Sequence, residues 1–339
     1  MAAAEALGDA GVLGSAPVLE FGGTAAVALR GGGAILHQRA DSLRATAAGL
    51  PVLDDPEGTG QRWTQAVVHV GKGWAGTLAD AAAAEEMLAV GGRLILCGDN
   101  QLGAAKAIAR VGDLLGQAPT PLAQRAHGRI ASFTRHEVAR LRQHSATTVI
   151  RLAPAALASA FGGEVALHAQ AGVFSGDALD EGTAALLAAL AGHASEPRRV
   201  LDLGCGIGHL AIAALRLWPS ATAHLADGDR RAIASATWNL RQLGLADRSV
   251  LHWWDAYEPA PAADVDLVLI NPPFHTGVAV DFGPAKAMFR AAAAASATRS
   301  TWLIVANRRL PYEAELSRHG ALRPLSEAAG FKVLEVRRG

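Results

Sequence analysis

The chain has 339 residues, half of them hydrophobic, which is enough for about two globular domains with sizeable cores. Its 31 basic and 31 acidic side chains balance to a formal net charge of zero, so the total charge gives no sign of a nucleic-acid partner. The sequence has no signal-peptide pattern, no strongly apolar stretch of about 18 residues, and no cysteine or histidine cluster with metal-ligand spacing. We therefore expect a cytoplasmic protein without a membrane span or a bound metal.

The first half contains a strand, helix, strand pattern that returns later in the chain. A strand at 66–70 is followed by a glycine loop, an alanine-rich helix from about 78 to 90, and a second strand at 93–100. The same order recurs at 264–307. This similarity predicts that the two halves share one fold.

The glycines of the first half differ from those of the second. Gly71-Lys72-Gly73 stands where the second copy has Asn-Pro-Pro-Phe, and neither Gly22-Gly23 nor the glycines at 31–33 follow a clear strand. We therefore predict that residues 1–155 are a degenerate copy, although the first sixty residues match no pattern.

Residues 125–144 carry a run of basic side chains opposed by a single acid, Glu137. The run includes Arg129, Arg135 and Arg140, and such a cluster can hold phosphate groups. The alternative is a solvated helix face whose charges pair with acids elsewhere.

Pro154 and Gly162-Gly163 interrupt the pattern and place a domain boundary before a second domain at 160–339. This domain opens with a strand at 199–203, a turn containing Gly204, Gly206 and Gly208, and a helical segment at 210–217. The alternating glycines differ from the G-x-G-x-x-G spacing that is typical of nicotinamide-binding turns. With Asp202 before them, they favour a turn that binds S-adenosylmethionine.

Two further acids follow predicted strands of this domain. An acidic residue about twenty positions after the glycine turn is expected to bind the ribose hydroxyls, and Asp227 is in that position, with Asp229 as the competitor. Asp255 ends the next strand, with Ala256 beside it, and is placed to accept from the adenine amino group. The alternative for Asp255 is a solvated loop residue.

A tetrapeptide, Asn271-Pro272-Pro273-Phe274, comes directly after the apolar run at 265–270. The run reads as a buried parallel strand, so the tetrapeptide lies at the sheet edge where open α/β sheets bind ligands. The exocyclic amine of a base is a poor nucleophile until hydrogen-bond acceptors draw out its protons. Asn271 and the Pro272 carbonyl can supply two acceptors, and Phe274 offers a stacking face. Taken alone, the tetrapeptide is equally consistent with a simple turn.

The chain resembles the bacterial small-subunit rRNA guanine-N2 methyltransferases of the RsmC type. The segments that carry the resemblance are "AGVFSGDALDEGTAALLAAL" at 171–190, "VLDLGCGIGHLAIAAL" at 200–215, "DVDLVLINPPFHTG" at 264–277 and "VANRRLPYEAEL" at 305–316. The resemblance is close throughout the second half and extends in the first half only over about 64–150.

The resemblance implies transfer of a methyl group from S-adenosylmethionine to a guanine of 16S rRNA within the small ribosomal subunit. By position it implies that Asn271, Pro272, Pro273 and Phe274 hold the guanine, with His275 as a local substrate contact. It also implies a set of cofactor contacts at Phe174, Ser175, Asp202, Gly204, Gly206, Gly208, Asp227, Asp255, Ala256 and Asn271. The first domain would then recognise the substrate or support the second.

The alternating strands and helices predict an α/β protein with two tandem doubly wound, Rossmann-like domains. In the second domain, segments 321–328 and 331–338 around Ala329-Gly330 read as a hairpin that adds an antiparallel edge strand, as in class I methyltransferases. We expect a monomer. Three alternatives remain: a methyltransferase of another planar nitrogen, such as adenine N6 or a glutamine amide; an RNA-binding protein without activity; and a nicotinamide enzyme.

Overall fold

The computed structural model of the chain describes residues 2–9, 11–54, 60–71, 73–125, 127–145, 148–152, 164–174, 176, 178–273 and 282–339. The chain divides into two compact units, unit 1 (Met1–Thr147) and unit 2 (Thr148–Gly339). Each unit has its own sheet and its own buried apolar core, so the two are described separately.

Strands and helices alternate in the described part of unit 1. Its strands are β1 (Val18–Phe21), β2 (Gly32–Ile35), β3 (Trp63–His69), β4 (Leu88–Asp99), β5 (Thr120–Arg125) and β6 (Gly128–Thr134). Its helices are α1 (Ala2–Ala6), α2 (Ala25–Arg30), α3 (Arg39–Ala47), α4 (Trp74–Met87) and α5 (Ala104–Leu115), with 3₁₀ turns at Asn100–Leu102 and Arg142–His144.

These strands form one sheet in the order β2-β1-β3-β4-β6-β5. The first four are parallel, and β6 and β5 are added as antiparallel strands. The basic stretch therefore lies largely on this hairpin and the loop after it, not on the solvated helix face considered above. The reason is that "GRIASFT" buries the continuous run from Ile130 to Phe133, as a strand paired on both sides does, and lies between β4 and β5.

Unit 2 begins with an antiparallel pair, β7 (Thr148–Leu152) and β8 (Val165–Ala169). Its further strands are β9 (Arg199–Leu203), β10 (Thr222–Asp227), β11 (Ser249–Trp253), β12 (Val265–Ile270), β13 (Ser296–Asn307), β14 (Ala321–Ala328) and β15 (Phe331–Arg338). Its helices are α6 (Glu181–Ala191), α7 (His209–Leu217), α8 (Arg230–Gln242), α9 (Gly283–Ala295) and α10 (Glu313–Leu316), with a 3₁₀ turn at Ala246–Arg248.

Seven of these strands form a sheet in the order β11-β10-β9-β12-β13-β15-β14. The strands from β11 to β13 are parallel, and β15 runs antiparallel to β13. Ala329 and Gly330 both have positive φ, 51° and 81°, which is the geometry of a tight hairpin turn. The predicted doubly wound α/β fold with a terminal antiparallel hairpin is confirmed.

The two sheets share an irregularity that supports the internal repeat. In unit 1 the pairing of β3 with β4 shifts between Trp63↔Leu88 and Gln65↔Arg93. In unit 2 the pairing of β12 with β13 shifts between Val265↔Ser296 and Leu267↔Thr301. In both units the preceding helix runs directly into the second strand, so the helix predicted to reach residue 90 ends at Met87.

Strand register corrects the alignment of the two copies. Phe21 pairs with Val68 in unit 1, as Leu203 pairs with Ile270 in unit 2. The next residue, His69, therefore takes the place of Asn271, and Gly71-Lys72-Gly73 starts two positions too late. The expectation that Gly22-Gly23 follows no strand is also wrong, because β1 ends at Phe21. A four-residue strand was too short to recognise by periodicity.

Candidate functional site

The glycine turn of unit 2 wraps around the end of β10. The amides of Gly204 and Cys205 donate to the carbonyl of Ala226, over 2.8 and 3.1 Å. Gly204, Gly206 and Gly208 all have positive φ, at 73°, 54° and 96°, a region that side chains with a Cβ rarely adopt. No described residue outside the turn approaches within 4 Å of a Cβ placed at Gly206, so this turn faces open space.

Asp227 and Asp229 differ in how their carboxylates are used. Asp227 accepts the amide of Gly206 on one oxygen and the amide of Asp229 on the other, both at 2.8 Å. Asp229 is the N-cap of α8 and accepts the amide of Arg231. Burial raises the pKa of Asp227 to about 6, although its backbone hydrogen bonds act against the rise. The Gly228 amide also bonds this carboxylate, which leaves it able to accept from one hydroxyl.

Asp202 lies behind the turn, not in the open space. Its side chain is 0% exposed, and one carboxyl oxygen accepts the amide of Ala211 over 3.1 Å, which ties β9 to α7. No described residue bonds the other oxygen. Burial raises the pKa of Asp202 to about 7. The geometry gives Asp202 a structural role, and the direct cofactor contact stays a prediction.

Asn271 stands at the end of β12 and is held by α6. Its side-chain nitrogen donates to Asp180 Oδ2 and to Thr183 Oγ1, both at 3.0 Å. Asp180 is also the N-cap of α6 and accepts the amide of Thr183 over 2.9 Å. The Asn271 carbonyl lies 3.6 Å from a Cβ placed at Gly204, so the strand end and the glycine turn meet.

His209 begins α7 directly after the glycine turn. Burial lowers its pKa to about 4, although the negative charge of Asp180 opposes this, so the imidazole is neutral at physiological pH. Its Nε2 atom is buried, and no described residue bonds it.

Pro272 is buried and Pro273 is exposed, and both lie beyond the end of β12 at Ile270. Neither residue has an amide hydrogen to extend the strand pairing. Phe274 and His275 lie outside the described residues, so their assignments as substrate contacts stay predictions.

The segment that leads to Phe174 docks on α8. Asn239 is buried, accepts the His168 amide over 2.8 Å, and donates to the carbonyls of His168 and Ile207, both at 3.0 Å. The amide of Gln170 donates to Ser235 Oγ. Phe174 itself is 74% exposed, and Ser175 lies outside the described residues.

Asp255 and Ala256 lie beyond the end of β11 and are both half-buried. Asp255 Oδ1 accepts the amide of Tyr257, and the Asp255 amide donates to the Glu258 carboxylate. Since Asp255 is only partly used within its turn, its predicted contact with adenine stays compatible with the geometry.

The three arginines singled out in unit 1, Arg129, Arg135 and Arg140, differ in whether their side chains bond to the backbone. Arg129 is exposed, with Nε donating to Asn100 Oδ1 over 3.1 Å. Arg135 donates from Nε to the Glu85 carbonyl, and Arg140 donates from Nη1 to the Leu115 carbonyl, both at 2.9 Å. Arg135 and Arg140 thus help to hold the local backbone, and the three do not form one uniform face.

The structure brings together three strand ends of unit 2: Asp202 with its turn, Asp227, and Asn271. The sequence reasoning missed Asp180, Thr183 and Asn239. Asp180 could have been found as a helix N-cap signal, since an acid precedes the helical "EGTAALLAALA". Among the described residues there is no group of acids, cysteines or histidines arranged to hold a metal ion. Nor does any helix of the described ranges combine the length and apolarity needed to cross a bilayer.

Comparison with known proteins points to one kind of chemistry. The model of the Methyltransferase small domain family matches residues 164–335. The Ribosomal RNA small subunit methyltransferase C of Pseudomonas aeruginosa (strain LESB58) is 34% identical over 177 residues, covering 52% of this chain and 52% of that protein. The Ribosomal RNA large subunit methyltransferase G of Ectopseudomonas mendocina is 42% identical over 149 residues, covering 44% of this chain and 39% of that protein.

One solved structure matches the entire chain. It is the T. thermophilus 16S rRNA N2 G1207 methyltransferase (RsmC) in complex with AdoMet and guanosine, with a TM-score of 0.83 and 25% identity. The match covers 100% of this chain and 92% of that chain. The chain spans about half the length of the small-subunit relatives that it matches in sequence.

Proposed function

Because the chain belongs to the Methyltransferase small domain family, we propose that it transfers a methyl group from S-adenosylmethionine to the exocyclic N2 amine of a guanine in 16S rRNA. The observation that carries this proposal is the meeting of Asn271 with the glycine turn at one sheet edge. The match to a structure that contains both AdoMet and guanosine supports the same substrate pair.

The residues present fit S-adenosylmethionine. The open space at Gly206 admits a ligand against the backbone, and the Asp227 carboxylate can accept from a ribose hydroxyl. When bound, the cofactor supplies an electrophilic methyl group on a sulfonium sulfur. Asp255 and Ala256 would face the adenine, and Phe174 and Ser175 would cover the pocket.

Asn271 and Pro272 then act on the target amine. Two carbonyl oxygens accept hydrogen bonds from the two N–H groups of the amine. These bonds draw electron density toward the nitrogen and concentrate its lone pair. A strong general base is not required, because methyl transfer breaks the S–C bond as the N–C bond forms and leaves a cationic, strongly acidic nitrogen that gives its proton to water. The site mainly provides proximity and orientation. Phe274 would stack on the guanine ring.

The proposal is tested by methylation of defined substrates. Purified protein, labelled S-adenosylmethionine and small ribosomal subunits should yield N2-methylguanosine on nucleoside mass spectrometry. We propose that the assembled subunit is a better substrate than naked 16S rRNA, that the enzyme acts as a monomer, and that it works in the cytoplasm with its substrate. A product of N6-methyladenosine, or label in protein alone, would favour another planar nitrogen.

The relative named for the large subunit gives a second candidate substrate. It shares 42% identity with this chain over the matched segment, so large-subunit rRNA belongs in the same assay. Methylguanosine found only in large-subunit rRNA would move the proposal to that substrate while keeping the chemistry at Asn271.

A further inference from the structure

Asn271, Asp180 and Thr183 form a closed hydrogen-bonded triangle. Asn271 Nδ2 lies 3.0 Å from both Asp180 Oδ2 and Thr183 Oγ1, and Thr183 Oγ1 lies 3.3 Å from Asp180 Oδ2. Asn271 is separated from its two partners by 91 and 88 positions in sequence. Two distant segments therefore converge on one amide group.

The donors and acceptors of this triangle balance in one arrangement. An ionised Asp180 can only accept hydrogen bonds. The Thr183 hydroxyl and one N–H of the Asn271 amide therefore donate to it. The Thr183 oxygen is then an acceptor for the second amide proton of Asn271. If the amide were flipped, its oxygen would lie 3.0 Å from the Asp180 carboxylate oxygen, which would be repulsive.

We propose that Asp180 and Thr183 are positioning residues that fix the Asn271 amide so that its Oδ1 faces the target amine. The proposal rests on the function proposed above. With both amide protons held by α6, Oδ1 is the end of the group directed away from that helix. The negative charge of Asp180 also polarises the amide and makes Oδ1 a better acceptor.

Helix capping alone does not account for this arrangement. Asp229 caps α8 by accepting one amide of its own first turn. Asp180 makes the equivalent capping bond to Thr183 and, on the same oxygen, binds a side chain from another strand. Thr183 is 9% exposed, so its hydroxyl is committed to this contact and not to solvent.

The test uses the full-length protein with Thr183→Val, Thr183→Ser and Asp180→Asn. Thr183→Val removes the hydroxyl at constant shape, and we expect kcat to fall by about 5- to 30-fold while both KM values stay within about twofold. Thr183→Ser should restore near-normal kcat. Asp180→Asn keeps a good N-cap but loses the charge, and it should lower kcat at least as much. The matched control is Thr237→Val, since the Thr237 hydroxyl donates to the Ile233 carbonyl within α8.

A double-mutant cycle separates positioning from stability. If Thr183 acts through Asn271, adding Thr183→Val to Asn271→Ala should leave the residual rate unchanged. If the two losses multiply, or if Thr183→Val changes thermal stability and KM more than kcat, the positioning role is overturned.

A second readout needs no activity. In NMR spectra of the cofactor-free protein, both Asn271 carboxamide protons should be protected from solvent exchange, and Thr183→Val should expose one of them. Rapid exchange of both protons in the wild type would overturn the triangle. Protected protons in a protein that methylates no rRNA would support the triangle and refute the proposed substrate.

Discussion

The turn after the first central strand is open at Gly206 in unit 2, whereas in unit 1 the His69 imidazole packs against Gly23 in the corresponding turn. Glu20 on β1 corresponds to Asp202 on β9, and each carboxylate accepts an amide of the following helix, from Val27 and Ala211. The second oxygen of Glu20 is paired with His69 over 2.6 Å. No described residue pairs with the second oxygen of Asp202.

The residues at the ends of the neighbouring strands also differ between the two units. By register, His69 stands at the position of Asn271, and Leu36 stands at the position of Asp227. The His69 ring lies so close to Gly23 that any side chain there would collide with it. Unit 1 therefore lacks both the amide acceptor and the ribose acid, although a cavity lined by Gly22, Gly23 and Leu36 remains beside its turn. Ligand binding depends on a few strand-end residues and not on the fold.

The largest expected effect is on the stability of unit 1, through the Glu20–His69 pair. His69→Ala leaves the buried Glu20 carboxylate without its partner, and we expect unit 1 to lose roughly 3–5 kcal/mol of stability. Hydrogen exchange at the β1 and β3 amides of the full chain measures this loss. Glu20→Gln combined with His69→Ala should recover part of it. If His69→Ala leaves the stability of unit 1 unchanged, the Glu20–His69 pair does not stabilise the contact between β1 and β3.

The same pair predicts a pH dependence. Burial lowers the pKa of His69, but the charges and hydrogen bonds of Cys97 and Glu20 outweigh this and raise it to about 10. Because the folded pKa lies above the unfolded value of 6.5, the stabilisation is complete below pH 6.5 and is lost as pH rises toward 10. The stability difference between wild type and His69→Ala should shrink over this range, and a constant difference would contradict the charge pairing.

In the open site, Asn271→Ala should lower the methyl-transfer rate by roughly 100- to 1000-fold, because it removes an acceptor aimed at the reacting amine. Cofactor affinity measured by calorimetry should change little. The equivalent change in unit 1, His69→Asn, should leave cofactor affinity unchanged. A parallel loss of rate and affinity in Asn271→Ala would mean that Asn271 binds the cofactor instead.

Asp227→Ala should cost about 1.5–3 kcal/mol of cofactor binding, since a charged acceptor for hydroxyls is lost. Leu36→Ala at the corresponding position of unit 1 serves as the control and should have no effect on affinity. Unchanged calorimetric affinity in Asp227→Ala would reassign the ribose contact to Asp229.

The smallest effect is expected for the basic residues of unit 1. Replacing Arg129, Arg135 and Arg140 together by Ala should weaken RNA binding and reduce its salt dependence. Since Arg135 and Arg140 donate to backbone carbonyls, Arg129→Ala alone should give the clearest result, reducing the slope by about 0.7–0.9 per lost phosphate contact. An unchanged slope would remove Arg129 from the RNA surface.

Features encoded locally could be predicted from the sequence. Three features are each determined by residues close together in sequence: the glycine turn, the apolar strand before Asn271 and the hairpin at Ala329-Gly330. In the structure both turns contain residues with positive φ. The hold of Asp180 and Thr183 on Asn271 could not be predicted, because it joins positions about 90 apart through the packing of α6 on the sheet. The place of His69 was missed because it depends on strand register, which glycine spacing does not report.

Two acids at the glycine turn, Asp202 behind it and Asp227 beside it, have raised pKa values that link cofactor binding to pH. Burial raises the pKa of Asp202 to about 7 and that of Asp227 to about 6, so both carboxyls are partly protonated near neutrality. A sulfonium cation bound nearby favours their ionised forms. Cofactor binding should therefore release protons between about pH 6 and 7, and its apparent enthalpy should vary with the ionisation enthalpy of the buffer. We therefore expect the affinity for the methyl donor, measured by calorimetry, to fall as the pH is lowered through this range.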